Sequence, residues 1–310
     1  MQTLRRLTDW NSAAPTLITL GTFDGVHRGH QAILKETARR AAALGLTSVA
    51  ITFANHPRSV LPGREEPPLL TPMEYRLRQF AALGIDVALA LTFDLALAAM
   101  SAPQFVEQVF VKTLRAQTVV LGFNSKFGQG GRGDYAYLES VCGDYGFGVA
   151  SVAPVMVGNV AVSSTQIRNH IEAGDLAFAA AMLGRPYSVY ANIVAGDGRG
   201  NKIGTPTANL DYGRQLLPPP GVYVCDVEMP DGQIRRGVTN IGKRPTFHTD
   251  GRLTVEAHII NFTGDLYGKT IEVRLLHCLR GEQRFADAAA LHRQIQTDIA
   301  AATAYAGDAA

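Results

Sequence analysis

Three things are scarce in this 310-residue chain, and each scarcity closes off a class of protein. Cysteine occurs three times, at Cys142, Cys225 and Cys278, with no CxxC spacing. That number encodes neither a disulfide framework nor a zinc knuckle, and three packed thiols in a reducing cytoplasm are expected. Excess charge of one sign is missing. Lysine and arginine total 29 against 27 acids, a net charge of +2, so nothing in the charge balance calls for a nucleic acid or a membrane surface as partner. Long apolar runs are missing as well. The run around Ile85–Met100 is broken by Asp86 and Asp94, short of the roughly 18 residues that span a bilayer. Arg5 and Arg6 lead into Thr8, Asp9, Trp10 and Asn11 rather than the apolar core of a secretory signal. There is no Walker phosphate loop and no internal repeat. What is there is globular: 46% apolar and 18% charged residues, enough for a buried core. The length favours two domains at roughly 100–200 residues each.

The first half alternates β-branched runs with helical patterns. Thr16–Leu20, Ser48–Phe53, Val87–Leu91 and Thr118–Leu121 read as strands. Helices are expected from about His30 to Leu44 (ended by Gly45), over Pro72–Leu83 (ended by Gly84), over Pro103–Leu114 behind Ser101 as N-cap, and over Tyr135–Tyr145. This rhythm predicts a parallel sheet covered on both faces, with ligands at the carboxyl ends of its strands. At Gly184-Arg185-Pro186 the pattern changes. Gly221–Met229 and Gln233–Ile241 flank the turn Pro230-Asp231-Gly232, Val255–Asn261 and Thr270–Leu279 follow, and a helix over about Ala286–Ala304 closes the chain. Consecutive strands with short turns predict an antiparallel barrel. The fold class is thus α/β, a Rossmann-like domain over 1–183 followed by a barrel domain over 187–310.

Four constellations carry chemistry. Gly21-Thr22-Phe23-Asp24-Gly25-Val26-His27-Arg28-Gly29-His30 follows the first strand. Its glycines allow close backbone approach, the helix behind it offers free N–H groups to an anion, and His27 and His30 can face one site. Such imidazoles suit the charge that builds up during nucleotidyl transfer; zinc, the rival ligand, finds no third partner motif. Ser163-Ser164-Thr165-Gln166-Ile167-Arg168 is either a helix cap or, with the histidines, the second half of a triphosphate cradle. Gly196, Gly198, Gly200 and Gly204 make four glycines in nine residues, either a long hairpin loop or a cover for phosphates. Thr207 and Asn209 alternate on the extended segment behind it and suit an oxygen-seeking Mg²⁺. Glu256, between Val255 and Ala257, is either a solvated strand residue or a base, and its face is left open. Gly128, Gly130 and Gly133 match GxGxxG, but six residues separate Leu121 from Gly128, and Ala153 stands where an acid would be needed; a lid-like loop is expected, not a dinucleotide site.

Together these stretches resemble the bifunctional bacterial riboflavin kinase/FAD synthetase family. The likeness runs through GTFDGVHRGH (21–30), TFANHP (52–57), SSTQIR (163–168), LGRPYSV (183–189), GRGNKIGTPTANL (198–210), PPGVYV (219–224), GVTNIGKRPTF (237–247), TVEAHI (254–259) and DLYGKTIEV (265–273). It implies an enzyme with two ATP-dependent activities: a C-terminal kinase converting riboflavin to FMN, and an N-terminal nucleotidyltransferase converting FMN to FAD with release of pyrophosphate. It also implies where ATP lies. In the first domain the residues are Gly21, Phe23, Asp24, Gly25, His27, His30, His56, Asn124, Ser163, Ser164, Thr165 and Arg168. In the second they are Gly196, Gly198, Gly200, Gly204, Thr207 and Asn209, with Mg²⁺ on Thr207 and Asn209 and Glu256 as the base. Two positions depart from the family pattern. Ser125 stands where phenylalanine is usual, and Ala54 where aspartate is frequent. An NAD(P)-dependent oxidoreductase, suggested by GxGxxG, and a non-catalytic flavin sensor remain as the alternatives; nicotinamide binding and turnover separate them.

Overall fold

A computed structural model of the chain describes residues 1–60, 65–196, 205–243 and 253–306. The chain divides into two compact units, Met1–Ser164 and Thr165–Ala310. The first holds strands β1 (Gln2–Leu4), β2 (Thr16–Leu20), β3 (Thr47–Phe53), β4 (Val87–Leu91), β5 (Ala116–Gly122) and β6 (Gly148–Val152) in one sheet of order β1-β4-β3-β2-β5-β6. Every pairing in it is parallel. All five residues of β2 are buried, as expected of a central parallel strand with both faces covered. A short hairpin, β7 (Met156–Val157) with β8 (Val160–Ala161), follows.

Helix α1 (Arg28–Leu44) turns Ile33, Leu34, Thr37 and Ala41 inward and ends on Gly45, whose φ of 65° only glycine adopts without strain. Next come α2 (Met73–Ala82), α3 (Leu95–Ala99), α4 (Ala102–Phe105) and α5 (Tyr135–Tyr145). The expected helix over Pro103–Leu114 divides in two. Ser101 caps α4, with Gln104 returning the bond, and the chain then widens into a π-helical stretch over Val106–Thr113 that periodicity alone does not reveal. After β2, the chain crosses through α1 to β3 on one side; after β4 it returns to the other side of β2 as β5. That reversal opens a crevice at the carboxyl ends of β2 and β5, where α/β sheets bind ligands.

The second unit begins with α6 (Ser164–Glu172, its first residue shared with the first unit) and α7 (Leu176–Leu183), which ends on Gly184 at φ 73°. Strands β9 (Ser188–Val194), β10 (Ala208–Asp211), β11 (Gly221–Glu228), β12 (Ile234–Lys243), β13 (Leu253–Ile259) and β14 (Thr270–Gly281) close an antiparallel barrel of order β10-β13-β12-β11-β14-β9. Helix α8 (Ala288–Ala304) is anchored to β14 by a buried Asp298 that accepts from Arg280 Nη2 at 2.7 Å. The interior is apolar: Ala191 and Ile193, Ile241, Val255, Ala257, Ile259, Ile271 and Val273 are buried. Cys225 lies in this core beside Thr239, and burial pushes its thiol up to about 12, so it is a packed, unreactive thiol.

Candidate functional site

The loop between β2 and α1 is built around left-handed backbone. Phe23 at φ 50° and Val26 at φ 40° are non-glycine residues in a region that costs them energy. Their complete burial offsets it. The Phe23 ring stands edge-on to Phe80 and to His30, with centroids 5.4 and 5.2 Å away. Gly21 leaves room for that ring: a Cβ there would lie 3.2 Å from it. Asp24 is buried, and its carboxylate accepts from the Leu70 and Thr71 amides at 3.0–3.1 Å. Ser164 Oγ donates to the Asp24 carbonyl at 2.8 Å, and the Gly25 amide donates to Thr71 Oγ1 at 3.0 Å.

His27 is itself the cap of α1, its Nδ1 accepting from the His30 amide at 3.2 Å. This bond leaves Nδ1 without a proton, so the neutral ring carries its proton on Nε2. The two imidazoles stack with centroids 3.5 Å apart and planes 18° from parallel. Gly29 permits this, since a Cβ there would meet the His27 ring at 3.2 Å. His30 Nδ1 is shielded from water and has no hydrogen-bond partner among the described residues. Burial first, and then the charges of His27 and Arg76, hold the His30 pKa well below the ordinary imidazole value. His30 is therefore neutral at pH 7, with one ring nitrogen still to be satisfied.

The other expected residues occupy separate elements. His56, beyond β3, accepts from the Arg58 amide at 3.1 Å and caps a short turn. Asn124 is exposed directly after β5, at the crevice. Ser125 accepts from the Gly122 amide at 3.0 Å and closes the turn after β5, while the Ala54 amide donates to Leu91 O at 2.7 Å. Ser163 precedes α6, Ser164 opens it, and exposed Thr165 and half-buried Arg168 stand on its first turns. The GxGxxG loop is packed: Phe127 and Gly133 exchange backbone bonds of 2.9 Å, and a Cβ on Gly128 would meet the backbone of Ala102 at 2.8 Å. A lid-like loop does not fit that packing.

In the barrel, alternation settles the face of Glu256. Val255 and Ala257 are 1% exposed in the interior, so Glu256 is on the outer face, half-buried. Directly across from it stand Asn209 on β10 and Asn240 on β12. Side chains paired across strands share a face, so the three form one polar row. Thr207 Oγ1 joins it 3.5 Å from Glu256 Oε2. Gly196 lies against this row: a Cβ there would be 2.5 Å from Asn209 Cγ and closer still to the amide nitrogen. Thr205 is buried with no hydrogen-bond partner among the described residues for its hydroxyl. Gly198, Gly200 and Gly204 lie outside the described residues, as does the end of the Gly237–Phe247 stretch. Asn240, Thr205 and Arg76 were not singled out from the sequence. Asn240 had a readable signal, a polar residue alternating with buried Thr239 and Ile241.

A family model described as FAD synthetase matches residues 10–166, and one described as riboflavin kinase matches residues 183–306. The bifunctional riboflavin kinase/FMN adenylyltransferase of Pseudomonas fluorescens is 39% identical over 296 residues, 94% of this chain and 93% of that one. That of Escherichia coli strain K12 is 36% identical over 282 residues, 91% and 90% of the two chains. That of Bacillus subtilis strain 168 is 33% identical over 297 residues, 94% and 93%. A crystal structure from Streptococcus pneumoniae, described as a macrolide-efflux protein, superposes with a TM-score of 0.85 at 29% identity, covering 98% of this chain and 99% of that one. In the present chain no helix of the described residues is long and apolar enough to cross a membrane. Both family models in this order, and relatives sharing a third or more of their residues over nearly the whole length, make the chain a member of the bifunctional riboflavin kinase/FMN adenylyltransferase family.

Proposed function

We propose that the enzyme phosphorylates riboflavin to FMN in its barrel domain and adenylylates FMN to FAD in its parallel-sheet domain, with ATP as co-substrate in both. The observation that carries this reading is the presence of two separate polar constellations on two separate cores: a stacked histidine pair with a neutral His30 at the sheet crossover, and a Glu–Asn–Asn row on the barrel exterior. In the kinase reaction Glu256 takes the proton from the ribityl 5′-hydroxyl as that oxygen attacks the γ-phosphorus of ATP, and ADP leaves. Thr207 and Asn209 supply hard oxygen donors beside Glu256, which fits Mg²⁺; when bound, the ion neutralises phosphate charge. Gly196 lets the chain pass close over Asn209, and Gly198, Gly200 and Gly204, outside the described residues, are assigned with it to ATP binding on the sequence.

In the second reaction an FMN phosphate oxygen attacks the α-phosphorus of ATP and pyrophosphate leaves. A phosphate monoester is already largely ionised at pH 7, so this step needs no protein base. It needs donors for the charge that gathers on the α-phosphate. His27 and His30 supply them, with the amino end of α1 behind. Asn124, Ser163, Ser164, Thr165 and Arg168 hold the triphosphate, His56 borders it, and Gly21, Phe23, Asp24 and Gly25 shape the loop. The working boundaries are 1–183 for the adenylyltransferase and 187–310 for the kinase, and a cytoplasmic location follows from the ATP requirement and the three free thiols. Incubation with riboflavin, ATP and Mg²⁺, followed by chromatography, should yield FMN and then FAD. Absence of either product from folded enzyme would remove the corresponding half of the assignment.

A further inference from the structure

Beneath the histidine pair lies a buried ion pair whose arginine has no task in the two reactions above. Arg76 on α2 is 4% exposed and Asp24 is 2% exposed, with Nη2 of the arginine 3.7 Å from Asp24 Oδ1. Nη1 donates to the Thr22 carbonyl at 2.7 Å, to the Phe53 carbonyl at 3.1 Å and to Thr52 Oγ1 at 3.3 Å. One guanidinium therefore clasps the segments that leave β2 and β3. Through Asp24 the clasp extends to the Leu70 and Thr71 amides and to Ser164. Buried ion pairs are poor stabilisers, because desolvation cancels most of their attraction, and an apolar replacement is often as stable. A pair kept in this place calls for a reason other than stability.

We propose that Arg76 is a positioning residue for adenylyl transfer, holding the loop that carries His27 and His30 in the shape that receives a phosphate chain. An anion site made of loop amides needs its carbonyls turned away. Arg76 draws the Thr22 carbonyl inward, and in a trans peptide the following Phe23 N–H then points the opposite way. Lysine carries the same charge but not the planar fork that meets several acceptors at once. The charged and titratable groups around His30 are His27 at the start of α1, Arg76 on α2 and Asp24 beside Arg76. The arginine charge adds to burial and His27 in keeping His30 neutral, a form with one ring N–H left to donate. The proposal rests on adenylyl transfer being the reaction of this domain, and FAD formation by the unaltered enzyme tests that alone before any variant is compared.

The experiment compares Arg76→Met and Arg76→Lys in the full-length enzyme, measuring FAD formation from supplied FMN, FMN formation from riboflavin, thermal unfolding, and the pH profile of kcat for FAD. Arg76→Met should lower kcat for FAD roughly thirty- to a hundredfold, the scale of misplacing a catalytic group by about 1 Å, with FMN formation within twofold of wild type. Its acid limb should move to higher pH, because His30 regains part of its ordinary pKa. Arg76→Lys should lose less activity and keep the wild-type acid limb. A folded variant of either kind with wild-type FAD formation overturns the proposal, as does an equal loss in both reactions. If Arg76→Met does not fold, Arg76→Lys decides by the same criterion. Loss of the fold in both would make the pair a folding element and also overturn it.

Discussion

Replacing Gly196 by alanine tests the kinase site at its tightest point. Gly196 is outside the left-handed region, so alanine brings no backbone strain of its own. The added Cβ, however, would lie 2.0 Å from Asn209 Nδ2, 2.5 Å from Cγ and 2.8 Å from Oδ1, where ordinary contact begins near 3.4 Å. Relief therefore requires movement of roughly 1 Å or more, by analogy with other overpacked sites at a cost of about 1–3 kcal/mol. Asn209 is held in β10 between β9 and β13, so its short side chain swings away or the end of β9 shifts. Either movement displaces a group beside Glu256, and a misplacement of this size costs about a hundredfold in rate. FMN formation from riboflavin, followed by chromatography, should fall by roughly that factor. FAD formation from supplied FMN should not change and serves as the internal control. The clash itself is isolated by a double-mutant cycle. In an Asn209→Ala background the Cγ is gone, so Gly196→Ala should alter the unfolding midpoint little, whereas alone it should lower it. Near-wild-type FMN formation by Gly196→Ala, or strict additivity in the cycle, would refute the reasoning.

Glu256→Gln keeps the size of the side chain and removes the base, so FMN formation should drop by roughly two to four orders of magnitude while equilibrium dialysis still detects ATP binding; an unchanged rate would leave Glu256 a solvated strand residue. His30→Ala should depress FAD formation on a similar scale and leave riboflavin phosphorylation intact, as read in the same chromatogram. The depressed His30 pKa also makes a stability claim: on acidification through the ordinary value near 6.5 the unfolded chain binds a proton before the native one does. Chemical denaturation should thus show stability being lost as pH falls below about 6.5, and His30→Ala should flatten that loss; an unchanged slope counts against a buried, neutral His30. A fragment of residues 165–310 should make FMN and no FAD. One starting at residue 187 lacks α7, whose Leu176, Ala179, Met182 and Leu183 are buried, and should melt at a lower temperature; equal melting would show that α7 contributes nothing to the barrel.

Much of the fold could be read in advance because its signals were local. Thr16–Leu20 is a β-branched run and Val87–Leu91 an uninterrupted apolar run of strand length, and Gly45, Gly84 and Gly184 mark left-handed stops by composition alone. β1 and β6 were not recognised. β1 has three residues, too few for alternation to appear, and both strands exist because β4 and β5 offer open edges. The sequence starts α1 at His30 and the structure at Arg28, because the cap is a histidine ring instead of the usual serine or aspartate. Of the candidate site, the histidine spacing suggested a shared face. The stacking and the buried Nδ1 came from tertiary packing, against Phe23 above all. Asp24 and Arg76 are 52 positions apart, and no period or motif links them; only the turn of the chain through β3 brings them together. Glu256 was legible as one of two faces, and the burial of Val255 and Ala257 decided between them.

The row that carries Glu256 gives β13 an arithmetic of its own. Because the strand alternates, one residue gained or lost between Leu253 and Glu256 would rotate every later side chain to the opposite surface. The carboxylate would then enter the apolar interior, and Val255 would stand between Asn209 and Asn240. An insertion of two residues keeps the faces and merely slides the pairing. Length variation in this strand is therefore permitted in even steps and forbidden in odd ones.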